Sequence, residues 1–551
     1  MKRSLLLCLA LFSSAFANVT LDEINIQPPS PEKNFLIWQF LHQDINATQA
    51  NDAFYQMERV NTRFLLDYAK KTNETEIIYT AQCLQKPATE LLTIEADDCL
   101  FLALTPVKAQ TLQNSEREQL ATKLGNKFGN VQWLRTMNQE SHFTPFSETT
   151  PSLKLFLITS PAYHQEHFNH VIDTDTLKSL TASKGFGQFA YSVITDPKMP
   201  LAQRALSDVS GGCFDFQTHF YLAINALHYG RNDNAIFHLK EAQKLANSKM
   251  DQDRTTFWLY QLKPELATLK SLSQSLDLNM YALWAKEKMG VEAENYFTTL
   301  PTRQKSSFKG DDPFEWNQLH DEIMASTKEN IVDLINRYDG EDSLAVQAYI
   351  IERTYTPFIH NFTMPYDQYM TNLSTDQKAF LYALMRQETR MIPGLISSSF
   401  ALGLMQLMPF NVDSISKALP LKVTSYNDMF NPAYNIPYAI EHMKHIDRTL
   451  FNPVLKAYAY NGGLGSTKRL IINTGQFLQG EHEPFMSMEL MSNTENREYG
   501  KRVLANYVIY KKILGEEVTI TSLLDSLVQP SLSDCFREPV LNSPLAQNRS
   551  E

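Results

Sequence analysis

Glycine is scarce in this chain, at 19 of 551 residues, about half the ~7% usual in soluble proteins. Turn-dense all-β folds draw on glycine for their corners, so the shortage disfavours them and favours helices. Basic residues are also in deficit: 50 Lys+Arg face 61 Asp+Glu, for a formal net charge of -11. A nucleic-acid polyanion is therefore a poor main partner. Long apolar runs are missing. The run Leu5–Phe12 falls short of the ~20 residues a bilayer span needs, and no later stretch is apolar enough. Cysteine numbers five, with no CxxC pair to suggest zinc.

What remains is globular composition, with 43% hydrophobic and 20% charged residues and a length that exceeds one hydrophobic core. Residues 1–17 read as an export signal: Lys2 and Arg3, then the apolar run, then Ala15-Phe16-Ala17, the small residues of a cleavage site. The expected location is the periplasm, with the mature chain starting near Asn18. Cys8 lies too early for a lipoprotein anchor. An oxidising compartment permits two disulfides among Cys83, Cys99, Cys213 and Cys535. Cys83–Cys99 is the local candidate, and Cys213–Cys535 would then tie the tail to the middle. Four buried free thiols are the alternative.

The expected fold is mainly all-α. Residues 18–325 read as an α-superhelical solenoid or ring. Phe220, Ala223, Ile224 and Leu227 recur at helical spacing. Gly230 and Asn232-Asp233 break the pattern, and Ala235, Ile236, Leu239 and Ala242 restart it as an αα-hairpin. A further pair carries Phe257, Trp258 and Leu259, then Leu278, Tyr281, Ala282, Trp284 and Ala285, with Gly290 at its end. Stacked pairs bury their apolar faces on one another. All five tryptophans fall in this region and read as core between repeats. Leu153–Thr159 fits a strand or a buried helix. Residues 305–316 look like a connection, 326–370 like a helical linker, 371–525 like a compact helical domain. The last stretch, 526–551, reads as a tail unless Cys535 pins it. His164, Glu166, His167 and His170, like His442 and His445, read as surface histidines rather than metal ligands.

The chemistry concentrates on Asp376–Thr389. Its apolar stripe runs Leu381, Leu384, Met385, and the next position on it is Glu388. Burial and the negative end of the helix dipole both oppose ionisation there, which suits a proton donor. A solvent-facing Glu at a frayed helix end is the plain alternative. Four motifs follow in order: Arg386-Gln387-Glu388-Thr389, Gly403-Leu404-Met405-Gln406, Ala459-Tyr460-Asn461, and Glu495-Asn496-Arg497-Glu498-Tyr499. Through them, residues 375–515 closely resemble the lysozyme-like catalytic domain of the soluble lytic transglycosylases, which cleave bacterial peptidoglycan. The resemblance extends faintly into the helical pairs, as in relatives whose catalytic domain sits on an α-superhelical ring. Thr389 replaces a motif serine, Phe400 a frequent glycine, and Asn496 and Gly500 depart from the last motif.

The resemblance implies a lyase that needs no cofactor or metal. Glu388 would protonate the oxygen between N-acetylmuramic acid and N-acetylglucosamine. The 2-acetamido group would stabilise the cation, and Glu388 would then accept the C6 hydroxyl proton as a 1,6-anhydro ring closes. Ser397, Met405, Gln406, Met408, Tyr460, Asn461, Glu495 and Tyr499 would bind substrate. The implied partners are glycan strands and stem peptides, with other cell-wall proteins open; the chain is expected as a monomer. A ring would suit threading a strand and exolytic cleavage. Two rivals stand beside this reading. One is a hydrolytic muramidase using a second carboxylate such as Glu495. The other is a cell-wall scaffold built on the helical array.

Overall fold

The computed structural model describes residues 18–537, apart from 126–130, 145–146, 299, 301–307, 309 and 328. Residues 1–17, expected to be an export signal, and the last residues of the expected tail lie outside the described residues, as does part of the expected 305–316 connection. The fold is helical. A two-residue parallel pairing, Tyr296–Phe297 with His360–Asn361, is the sheet recorded among the described residues.

The αα-hairpin is Phe216–His228 and Asn232–Leu245. Phe220, Ala223, Ile224, Ala235, Leu239 and Ala242 are all buried, and the two helices pack on one another. The next unit holds three helices rather than two: Leu266–Ser273 stands between Lys249–Leu262 and Met280–Met289. Gly290 caps the last in the left-handed conformation. Trp38, Trp258, Trp284 and Trp316 are buried, as expected of core. Leu153–Thr159 falls in the helix Thr149–Ile158. His164, expected at the surface, is buried instead: on the next helix, Pro161–His167, it stacks on Phe156 at 3.7 Å between ring centroids, with its Nε2 2.8 Å from the Phe156 carbonyl.

Cys83 and Cys99 form a disulfide with Cα atoms 5.1 Å apart. The second pairing does not form: Cys213 and Cys535 are both free, Cys213 exposed and Cys535 half-buried. The tail is pinned by backbone instead. Phe451 N–H donates to the Ser533 carbonyl at 2.8 Å and Cys535 N–H to that of Thr449 at 3.0 Å. Arg537 closes the turn on Asp534 at 2.7 Å, so residues 530–537 pack as part of the C-terminal unit.

The helical array meets the C-terminal unit through its first helices and again through later ones. Its first helices pack Phe35, Trp38 and Phe64 around Phe400. Its later helices join Glu489 through a buried set: Arg254, Tyr281 and Trp258 from the array, and Lys501 at 2.6 Å from the C-terminal side.

In the C-terminal unit the helix Thr375–Thr389 starts in a capping box. Ser374 Oγ accepts from Gln377 N–H at 3.2 Å, and Gln377 Oε1 accepts from Ser374 N–H at 3.1 Å. This helix packs along Thr494–Ile513. Gly500 permits a close approach: a Cβ there would sit 2.1 Å from Tyr458, which accounts for one departure from the last motif. Arg386 anchors the acid's helix to the linker, donating to Glu352 at 2.6 Å, to the Asn361 carbonyl at 2.6 Å and to Asn506 Oδ1 at 2.7 Å.

Burial alone would push Glu352 up, but the guanidiniums of Arg386 and Arg390 hold it down to about 2. Glu489 is likewise held to about 2 by Arg254 and Lys501 against its burial. A depressed carboxylate contributes stability that is full above its unfolded pKa and is lost as pH falls toward the folded one. Thermal melts should therefore show the melting temperature falling steeply between about pH 4.5 and pH 2.5. A flat profile across that window would show that these pairs contribute no net stability.

Candidate active site

A cleft of about 970 Å³ opens in the C-terminal unit. Glu388 lies on its wall, one residue from the C-terminus of Thr375–Thr389. The stripe argument holds: Leu381, Leu384 and Met385 are buried, and the next turn of the same face brings Glu388 to the cleft. Thr389 is buried, and its hydroxyl donates to the Leu404 carbonyl at 3.0 Å. The motif hydroxyl thus ties the acid's helix to the second motif, and the extra methyl is accommodated in the core.

The Glu388 carboxylate accepts the Tyr499 hydroxyl at 2.7 Å on Oε1. Burial pushes the Glu388 carboxyl up to about 7; the Tyr499 hydrogen bond pulls against this, and the Glu495 charge adds to it. A carboxylic acid half-protonated near neutrality is what general acid catalysis at that pH requires.

The opposite wall is an irregular turn. Leu402 pairs with Leu407, and Gly403 N–H donates to the Leu395 carbonyl at 2.8 Å. Gly403 has φ +67°, and a Cβ there would lie 1.9 Å from the Met429 carbonyl oxygen, so this position admits glycine alone. Asn435, fully buried, accepts from Met405 N–H at 2.8 Å and donates to the carbonyls of Met429 at 2.8 Å and Leu402 at 3.0 Å. Sequence reasoning missed Asn435; a lone Asn inside a helix carries no signal of a turn thirty residues upstream.

Most of the expected site residues gather here. Ser397, Gln406, Met408, Tyr460, Asn461 and Glu495 line the cleft with Glu388. Ser397 Oγ accepts from Ala401 N–H at 2.9 Å and Ser399 N–H at 3.3 Å, which leaves its own proton to donate. Gln406 Nε2 donates to the carbonyls of Gly403 at 2.9 Å and Leu395 at 3.2 Å. Its Oε1 is then the remaining polar group. Tyr460 commits its hydroxyl to the Met405 carbonyl at 2.7 Å. Asn461 Nδ2 donates to Glu495 at 3.0 Å.

Two residues expected to bind substrate sit elsewhere. Met405 is fully buried; the turn that exposes Gln406 sends the preceding side chain into the core. Tyr499 is buried behind the acid, and its hydroxyl acts on Glu388 rather than on the cleft.

Sequence reasoning also passed over a third wall. Glu441, His442, His445 and Arg448, at the end of Pro432–Asp447, line the cleft together with Phe410, Asn411 and Ser414. His442 meets the Tyr460 ring edge-on at 5.4 Å. Phe410 is 65% exposed, an aromatic face at the rim of the kind that stacks on sugars. The histidine pair at i, i+3 is the available signal; read only as surface histidines, it does not point to the cleft. Among the described residues no group of metal-ligating side chains comes together, and no helix is long and apolar enough to cross a membrane.

Residues 366–482 match the family described as Transglycosylase SLT domain. The soluble lytic murein transglycosylase of Escherichia coli K12 is 24% identical over 184 residues, 32% of this chain and 28% of that protein. That of Salmonella typhimurium LT2 is also 24% identical over 184 residues. The chain thus matches 28% of the length of these relatives. Among solved structures, an inactive mutant of the lytic transglycosylase Slt from Pseudomonas aeruginosa aligns with 16% identity and a TM-score of 0.47, covering 91% of this chain and 84% of that one. A complex of the 70-kDa soluble lytic transglycosylase with bulgecin A aligns with 16% identity and a TM-score of 0.46, covering 91% and 89%. Residues 366–482, which carry the Glu388 helix, the glycine turn and the Tyr460 helix, are thus similar to the transglycosylase SLT domain family.

Proposed function

We propose that this protein is a peptidoglycan lytic transglycosylase with Glu388 as its single acid–base. The observation that carries this reading is one carboxyl of raised pKa in a cleft of about 970 Å³, hydrogen-bonded by Tyr499. Murein is what the names of the matched relatives give as their substrate.

In the proposed reaction the protonated Glu388 gives its proton to the glycosidic oxygen as the C1–O bond breaks. The carbonyl oxygen of the 2-acetamido group shares the positive charge at C1, a task the second carboxylate performs in many hydrolases. The leaving sugar departs with its new hydroxyl. Glu388, now a carboxylate, takes the proton of the C6 hydroxyl while O6 bonds to C1. The product is a 1,6-anhydro ring, and the acid is regenerated. Intramolecular attack gains effective molarity and uses no water. Ser397 donates to the acetamido or peptide carbonyl, Gln406 accepts through Oε1, and Met408 with Phe410 packs on sugar faces. We further propose exolytic action, supported by the packing of the C-terminal unit against both the first and the later helices of the array. Product length with time tests it: long strands should shorten from their ends, and mid-sized pieces appearing first would contradict it.

Glu388 must be protonated to act, so kcat/KM should hold below about pH 7 and fall as pH rises through it. Tyr499→Phe removes a bond that lowers this pKa, so the alkaline limb should move to higher pH. Glu495→Gln removes a charge that raises it, so the limb should move to lower pH. Profiles of kcat/KM for the three proteins check these opposite shifts.

Glu495 in the same cleft favours one second reading, a hydrolase using it as base. Products then carry reducing ends, which borohydride reduces; anhydro ends resist it.

A further inference from the structure

The turn 397–401 forms one lip of the cleft: Ser397, Ser398, Ser399 and Ala401 all line it. Phe400 is the member that turns away. It has φ +66°, the left-handed region, where a bulky L side chain is strained. It is also buried, at 5% exposure. Its ring lies 5.1 Å from that of Phe35, 5.5 Å from Phe64 and 5.6 Å from Trp38. These three rings come from Pro31–Leu41 and Thr62–Ala69, more than three hundred positions upstream by number. Trp38 in turn lies under the Arg63 guanidinium at 5.6 Å and beside Tyr426 at 6.0 Å. Phe400 N–H donates to the Ser397 carbonyl at 2.9 Å, and Ala401 N–H to Ser397 Oγ at 2.9 Å. The strained backbone at Phe400 and the aim of the Ser397 hydroxyl are therefore one geometry.

We propose that Phe35, Trp38 and Phe64 clamp Phe400 and thereby position the serine lip of the cleft, making the first helices of the array part of the substrate-binding apparatus. Strain of this kind persists only where surrounding structure over-determines it; a glycine there would hold the same turn with no brace. Phe400 is a positioning residue, acting through Ser397. The activity arm of its test rests on the proposed function; the exchange arm does not.

The test compares wild type, Phe35→Ala/Trp38→Ala, and that pair with Phe400→Gly added, in the full chain. Amide hydrogen exchange of 397–401 and steady-state kinetics on peptidoglycan are the readouts. The clamp pair should speed exchange at the lip and raise KM by about tenfold, the scale of released backbone strain, with kcat and the alkaline limb unchanged. Adding Phe400→Gly should restore slow exchange and most of KM. Unchanged exchange in the clamp pair overturns the proposal, as does faster exchange that Phe400→Gly leaves uncorrected. Where circular dichroism shows the pair unfolded, Trp38→Leu with and without Phe400→Gly makes the same comparison. A wild type inactive on peptidoglycan defeats the proposed function, and the exchange pattern still decides the clamp.

Discussion

Glu388→Gln should lower kcat on peptidoglycan by about a thousandfold, within the 10²–10⁴ that a positioned general acid contributes, while binding of glycan strands persists. Glutamine keeps the shape and can still meet the Tyr499 hydroxyl, now 2.7 Å from Glu388 Oε1. It has no proton to give at neutral pH. The loss should exceed that of any other single change in the cleft, because Glu388 serves both halves of the proposed reaction. Asn461 and Glu495 already satisfy one another, and Gln406 and Tyr460 spend hydrogen bonds on the turn itself. Their removal should therefore act more on KM than on kcat. Sedimentation with insoluble peptidoglycan measures retained binding; a Glu388→Gln protein that neither binds nor cleaves would mean that the substitution disturbs the cleft rather than the chemistry.

Glu489→Ala should cost about 3–5 kcal/mol, the range for stripping one partner from a buried ionic set, out of a total of about 5–15 kcal/mol for a folded domain. Glu489 and Glu498 face Arg254, Arg497 and Lys501. All but Glu498 are buried. Without Glu489, three cations share one carboxylate, and the Tyr281 hydroxyl and Trp258 indole lose their acceptor. Arg497, Glu498 and Lys501 of this seam lie on the helix that also bears Glu495 and Tyr499, so loss of packing there reaches the acid. Adding Lys501→Met to Glu489→Ala removes the stranded charge and should recover part of the stability. Urea unfolding of the three proteins measures this; equal stability of Glu489→Ala and wild type would mean that the cluster is solvated.

What was legible in the sequence was local. The helical period and the Gly290 stop are written in neighbouring residues, and so is the stripe that delivers Glu388. The four motifs brought the turn and the Tyr460 helix to that acid. What escaped was set by irregular backbone or by distance along the chain. Met405 and Met408 are one helical step apart in number, yet the turn between them is not a helix, so one is core and the other cleft. Tyr499 sits on a fully packed helix, and periodicity cannot say whether its hydroxyl reaches substrate or acid. Cys213 and Cys535 satisfied a count, but pairing needs Cα atoms within ~7 Å, which no spacing supplies. Phe400 broke the family's glycine pattern; its reason lies in three rings from the other end of the chain.

The central claim is that one carboxyl cleaves the glycan without water. The direct measurement is mass spectrometry of products released from purified peptidoglycan in ¹⁸O-enriched water. The account predicts muropeptides lighter than the hydrolytic products by one water, unlabelled, and absent when Glu388→Gln replaces wild type. Reducing-end products carrying ¹⁸O would contradict it and would make Glu495 the base of a hydrolase.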